Sequence, residues 1–425
     1  MIMSWIPDPR RRLRPGRVVA ASTLAALLLA AGACSTKADS ATGTPSSGAI
    51  RTDAGVTADT ITLGVLTDRT GPFAPAGKAI EQGRTLFWND KGEVCDRKVE
   101  FIAKDHKYTT TGASSAYAEV KDKVLALDEL LGTPIISALQ KDIETDQMPT
   151  MAASFGSDLL SNKNILLIGT TYDVEMINAV GYLVKDKGLT RGDKIGHIYH
   201  DGPYGQNALT GSRAASGKAG LELVEQKIKP TDADLTAQIT ALKAAGVKAI
   251  LLTTSPAQTG NALQVANASQ LDVPFVASNP AFSVSLVTGA ARPLAEKNLF
   301  VSGSVAPFNA TQPGPTRVRE AFNTAYPKDP KTFFTVFGYA QQVVLAQSLE
   351  AACEKGDLTR AGLVNAFHGL GDKVETDGLL PAMDLKAGAI PSRQTRILKP
   401  DAAVEGGLDQ VQDLTADDFA LEYQK

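Results

Sequence analysis

His197 and His200 are near enough in sequence to share a site, yet on a strand they point to opposite faces and make no metal pair. No Gly-x-Ser-x-Gly elbow marks an activated serine. Gly211 to Lys218 has the wrong spacing for a phosphate-binding loop and lacks its closing Ser or Thr. Acidic pairs such as Asp417-Asp418 read as solvated. The chain therefore proposes no enzyme chemistry, no metal and no cofactor. What it does offer is a place to bind. In Leu131-Gly132-Thr133-Pro134, Thr133 suits a helix N-cap or can offer its hydroxyl, and Pro134 suits a first helical position. An anionic oxygen at such a helix start meets free backbone N–H groups and the positive end of the helix.

Cysteine is the other reactive type, and its three copies divide. Arg10, Arg11, Arg12, Arg14 and Arg17 precede an apolar run from Val18 to Ala31, and Ala31-Gly32-Ala33 leads to Cys34. A charged region, an apolar stretch too short to span a bilayer and a small-residue site together read as an export signal over residues 1–33. A cysteine at the cleavage point resembles the lipobox of bacterial lipoproteins, although Ala31 stands where leucine is commonest. The resemblance implies lipidation of Cys34; the alternative is a plain signal peptide with Cys34 a bystander. Residues 34–57, rich in Ser, Thr and Gly, read as a flexible linker. Cys95 and Cys353 remain, an even pair in an oxidising compartment, expected as a disulfide or else as two buried thiols.

The elements that must position a site come from the periodicity. Strand-like runs such as Thr60–Leu66, Lys194–Tyr199 and Ala249–Thr253 alternate with helical spacing, as in Leu235, Ile239 and Leu242 ahead of Gly246. Alternation of this kind predicts an α/β fold of parallel sheets with helices on both faces. The roughly 370 residues after the linker exceed one ordinary core and suit two domains. We expect lobe 1 at 58–172 plus 305–373 and lobe 2 at 173–304 plus 374–425. A long apolar-striped helix, 335–354, should return to lobe 1. The formal charge is −3, and removal of five Arg and one Asp with residues 1–33 leaves −7. Scattered lysines on an acidic body argue against nucleic acid.

Three segments carry a family resemblance. Thr-Asp-Arg-Thr-Gly-Pro-Phe-Ala-Pro-Ala-Gly over 67–77 follows a strand. His200-Asp201-Gly202-Pro203-Tyr204-Gly205-Gln206 follows another, and Asp232 to Ile239 leads into Leu242-Lys243-Ala244-Ala245-Gly246. Together they resemble the leucine/isoleucine/valine-binding protein family, the type I solute-binding proteins of ABC importers. That resemblance implies two Rossmann-like lobes with parallel sheets, three hinge crossovers, and a ligand in the cleft. It implies carboxylate contacts from Thr133 and from Ala153-Ser154-Phe155-Gly156-Ser157, and a second-lobe tyrosine, Tyr204. Three positions depart from the amino-acid binders: Ala76 stands for an aromatic residue, Ser255 for a tyrosine, and Asn279 for the glutamate that pairs with the ligand's ammonium. A buried ammonium without a carboxylate is costly. The expected ligand is therefore a small polar or carboxylate-bearing solute, larger or aromatic, rather than an α-amino acid. The implied function is an exported, lipid-anchored, monomeric receptor for ABC permease subunits on the extracytoplasmic face of the membrane. The alternative is a sensing domain that reports to a signalling partner.

Overall fold

A computed structural model describes residues 50–424. The signal segment, Cys34 and most of the linker fall outside the described residues. Arg51–Thr52, at the linker's end, already form a short strand parallel to Asp357–Leu358, with the Arg51 guanidinium paired to Asp357.

The first sheet runs, edge to edge, Glu93–Val94, Arg97–Asp105, Thr60–Thr67, Ala126–Leu131, Thr150–Ala153 and Ile165–Leu166. All neighbours are parallel apart from the short hairpin at Glu93–Val94. The second sheet orders Leu408–Thr415, Thr395–Pro400, Leu299–Gly303, Phe275–Ser278, Ala249–Thr253, Lys194–His200 and Glu222–Ile228. Its last five strands are parallel, as the alternation predicts. The first two are antiparallel, because the chain's final return is a hairpin laid along the open edge. The chain crosses between the lobes three times: after Leu166, after Gly303 and after Leu370.

Helix Phe333–Glu354 packs on Ala74–Lys91 of the first lobe, backbone to backbone. A Cβ on Gly83 would come within 2.2 Å of the Thr335 carbonyl oxygen, and one on Gly338 within 2.3 Å of that of Ile80. Only glycine permits this approach. The far end of Phe333–Glu354 is fastened by a Cys95–Cys353 disulfide with Cα atoms 6.2 Å apart, inside the range such a bond requires.

Below the two helices lies a buried charge cluster. Arg84, on Ala74–Lys91, pairs with both Asp128 and Glu129, although consecutive strand residues should face opposite ways. The register explains this. Gly64 pairs Leu127 but Val65 pairs Glu129, so a bulge sits at Asp128 and turns both carboxylates toward one cation. No helix among the described residues is long and apolar enough to cross a membrane.

Candidate functional site

The carboxyl ends of both sheets face a cleft whose void has an outer and an inner chamber. The outer one, about 510 Å³, lies between Phe73, Ala76, Ala79 and Phe334 of lobe 1 and Pro256, Pro280, Phe282 and Val284 of lobe 2. That volume is of ligand-pocket size. The inner chamber, about 40 Å³, is walled by Tyr108, Thr133, Phe155, Tyr172, Tyr204 and Phe337. Phe73, Ala76, Pro280 and Phe334 border both chambers and frame the passage between them. Charge is confined to the outer mouth, at Arg69 and Lys78. The rest of the wall is mainly hydrocarbon, aromatic ring and proline, with Gln82, Ser283, Ser285, Thr288 and Thr332 as the polar side chains of the outer chamber.

The loop over 67–77 is built to present Phe73 and Ala76. The buried Asp68 carboxylate accepts from the backbone N–H groups of Thr70, Gly71 and Phe73 at 3.2, 2.5 and 2.9 Å, which folds the loop onto itself. A Cβ on Gly77 would lie 2.2 Å from the Asp68 carbonyl oxygen, so the helix start fits over the turn only with glycine there.

Polar groups gather at the inner end. Thr133 opens helix Thr133–Thr145 after Gly132, and its hydroxyl is 2.7 Å from that of Ser154. The Tyr172 phenol lies beside the same two hydroxyls. Tyr204 comes from the second lobe, its ring centroid 4.7 Å from that of Tyr172, and its hydroxyl is 2.5 Å from Ser278 Oγ. Burial holds the phenols of Tyr108, Tyr172 and Tyr204 far above their ordinary pKa, so at neutral pH each is a neutral hydrogen-bond donor. The chamber thus offers hydroxyls and a helix start to an oxyanion, without a cation.

Of the residues singled out in the sequence, Ala76, Thr133, Phe155 and Tyr204 line the void, and Ser154 stands directly behind Thr133. The other three are occupied elsewhere. Ser157 holds the lobes to each other: its N–H donates to Asn207 Oδ1 at 3.3 Å, Asn207 Nδ2 donates to its hydroxyl at 2.7 Å, and that hydroxyl donates to Asp173 at 2.6 Å. Ser255 caps helix Pro256–Ala268 in a capping box with Gln258. Asn279 Nδ2 donates to Glu175 Oε1 at 2.5 Å, and Pro280 beside it meets the void instead. Desolvation holds the Glu175 carboxyl well above the usual range. The histidines are structural: His197 bridges Ser212 and Thr253, each at 2.8 Å. Tyr108, Tyr172, Phe334 and Phe337 carried no sequence signal. Tyr108 lies in the loop before helix Thr110–Val120, Tyr172 opens helix Tyr172–Lys185, and Phe334 and Phe337 lie on Phe333–Glu354, so distant segments of the chain bring them together.

The family model for periplasmic binding proteins matches residues 60–403. A Leu/Ile/Val-binding protein homolog 6 from Brucella abortus is 25% identical over 173 residues, and the match spans 40% of this chain and 44% of that curated relative's length. Among solved structures, a fatty acid ABC transporter substrate-binding protein from Thermomonospora curvata is 38% identical. It covers 88% of this chain and 97% of its own, with a TM-score of 0.85. A branched chain amino acid ABC transporter protein from Thermus thermophilus with bound valine has 20% identity, coverage of 86% and 98%, and a TM-score of 0.75. A solute binding protein from R. palustris in complex with benzoate has 18% identity, coverage of 84% and 98%, and a TM-score of 0.70. These last two share the fold.

Proposed function

The chain belongs to the periplasmic binding protein family, and from that premise we propose that it captures an elongated, largely apolar monocarboxylate of the fatty-acid kind for an ABC importer. The observation that carries this reading is the wall of the void: it is mainly hydrocarbon and aromatic surface on both lobes, with only scattered polar side chains in the outer chamber and a cluster of hydroxyls at the inner end. A polar neutral solute would leave its hydrogen bonds unmade against Phe282, Val284 and Phe334, whereas an alkyl chain is stabilised by about 0.8 kcal/mol for each methylene removed from water. The 38%-identical protein from Thermomonospora curvata, by its description, serves fatty acid transport. An α-amino acid is disfavoured, since Asn279 presents no carboxylate to an ammonium and the Glu175 carboxyl, which burial biases toward its neutral form, is already bonded to Asn279 through Oε1.

Closure follows from the same walls. A ligand that touches Ala76 and Phe334 on one lobe and Pro280 and Phe282 on the other binds the closed state better than the open one, which is what shifts the equilibrium. Ligand at about 100 times its dissociation constant adds about 2.7 kcal/mol of stability. Thermal unfolding of residues 35–425 should therefore rise clearly with dodecanoate and stay unmoved by leucine. A leucine shift without a dodecanoate shift would sink the reading.

Cys34 completes the proposal as the lipid-bearing residue of an exported receptor held at the extracytoplasmic face, with the segment after it as its tether. The Arg-rich start, the apolar run and the Ala-Gly-Ala-Cys sequence support this. In a bacterial host, the wild-type chain should fractionate with membranes and incorporate an alkyne-tagged fatty acid, and Cys34→Ala should do neither. Equal labelling of both would refute lipidation at this site.

A further inference from the structure

Tyr108 stands out in the inner chamber because its placement is costly and its hydroxyl is unused. Lys107 and Tyr108 are consecutive non-glycine residues with φ of 56° and 55°, a left-handed conformation that side chains rarely adopt and that persists only where surroundings enforce it. The enforcement is visible. Asp105 Oδ1 accepts from the Lys107 N–H at 2.9 Å, and His106 Nδ1 accepts from the Tyr108 N–H at 3.0 Å. The result is a ring laid against Phe73, centroids 4.7 Å apart, and over Gly132 at the start of helix Thr133–Thr145. A Cβ on Gly132 would come within 2.5 Å of that ring. The Tyr204 hydroxyl is hydrogen-bonded with that of Ser278, and Tyr172 shares its own with Thr133 and Ser154. The Tyr108 hydroxyl makes no hydrogen bond to the described residues, and the ring lines the chamber.

The mouth offers no comparable vacancy for an anion. Arg69 donates through Nε and Nη2 to Glu81 at 3.0 and 2.7 Å. Lys78 is 3.2 Å from Asp329, which also accepts from Gln82 at 2.5 Å. Each cation is already paired, and an entering carboxylate would face Glu81 and Asp329 as well.

Building on the fatty-acid reading, we infer that the ligand lies head inward, its carboxyl in the inner chamber accepting a hydrogen bond from Tyr108, its chain running out through the outer chamber. Tyr108 is then a specificity-determining residue, selecting acid over ester. A hydrogen bond from a neutral donor to a charged acceptor is worth roughly a tenfold change in affinity or more.

Calorimetry on residues 35–425 tests this with three probes: dodecanoate, methyl dodecanoate, and dodecanoate carrying a pyrene at its far end. Head-inward binding expects the ester to be at least about tenfold weaker than the acid, and the pyrene acid to bind within about fivefold of it. Tyr108→Phe should weaken dodecanoate about tenfold and the ester less than about twofold, with an unchanged thermal midpoint for the free protein. A pyrene acid weaker than the ester, or a Tyr108→Phe effect equal on acid and ester, overturns the orientation while leaving the fatty-acid reading intact. Failure of dodecanoate to bind the wild-type protein overturns both.

Discussion

Arg84→Met should cost about 3–5 kcal/mol of folding stability at pH 8, because it strands two buried carboxylates around a cation that no longer exists. Asp128 and Glu129 are fully buried, Arg84 nearly so, and Arg84 bonds Asp128 through Oδ2 while the buried Oδ1 makes no hydrogen bond. Thr67 donates to Glu129 at 2.6 Å, which leaves a single hydroxyl to carry what the guanidinium supplied. The loss should depend on pH. Burial pushes the Glu129 carboxyl up to about 7 even with Arg84 beside it, and raises Asp128 as well. A carboxyl whose folded pKa exceeds its unfolded value binds more protons when folded, so its contribution is complete below about pH 4.5 and fades as pH rises through about 7. For Glu129 in the wild-type protein the full span is about 3 kcal/mol. Urea titrations should therefore show the wild type losing stability between pH 5 and pH 8. They should also show the Arg84→Met penalty shrinking at pH 5, where protonation removes the stranded charge. An equal penalty at both pH values would show that lost packing, not charge, is what Arg84 contributes.

That cluster also marks where sequence reading stops. Helix Thr236–Ala245 is visible in Leu235, Ile239 and Leu242, and its end is visible in Gly246, which does adopt a left-handed φ of 75°. The parallel sheets follow from alternation, and the apolar stripe that returns Phe333–Glu354 to the first lobe follows from helical spacing. These features depend on neighbours within a turn or a strand. Asp128 and Glu129 do not: a period-2 reading puts them on opposite faces, and only the bulge against Val65 brings them together. Tyr108 is hidden for a similar reason, since nothing in Asp105-His106-Lys107-Tyr108 announces two left-handed residues. Ser255 is different: the Ser255-Pro256-Ala257-Gln258 spacing is itself a capping-box signature, a local signal for the helix-capping role that the structure shows in place of ligand contact. Asn279 is subtler. The absence of a glutamate there is legible, but the acid that faces it, Glu175, lies 104 positions away on the helix Tyr172–Lys185. Local signals thus reach the scaffold, and the polar lining of the cleft depends on contacts between distant segments.

Ala76→Trp should abolish capture of long acids while leaving the fold intact, and the reason lies in where the methyl group stands. Ala76 is on the first turn of Ala74–Lys91 and borders both chambers. An indole there projects into existing void rather than into packed neighbours, so the overpacking cost of about 1–3 kcal/mol that a filled core would impose does not arise. In the wild type, each added methylene should improve affinity about fourfold, the equivalent of about 0.8 kcal/mol, until the outer chamber is full. With the passage closed, the chain of a head-inward acid has nowhere to run, and lengthening it beyond about six carbons should bring no gain. Dodecanoate should then bind at least about 100-fold more weakly, while short acids that fit the inner chamber alone lose far less. Displacement of a fluorescent fatty acid across a series from hexanoate to hexadecanoate would measure both slopes, with Ala76→Ser as the variant that keeps the passage open. If Ala76→Trp retained the wild-type dependence on chain length, the hydrocarbon would have to lie outside this passage, and the two chambers could not be one binding site.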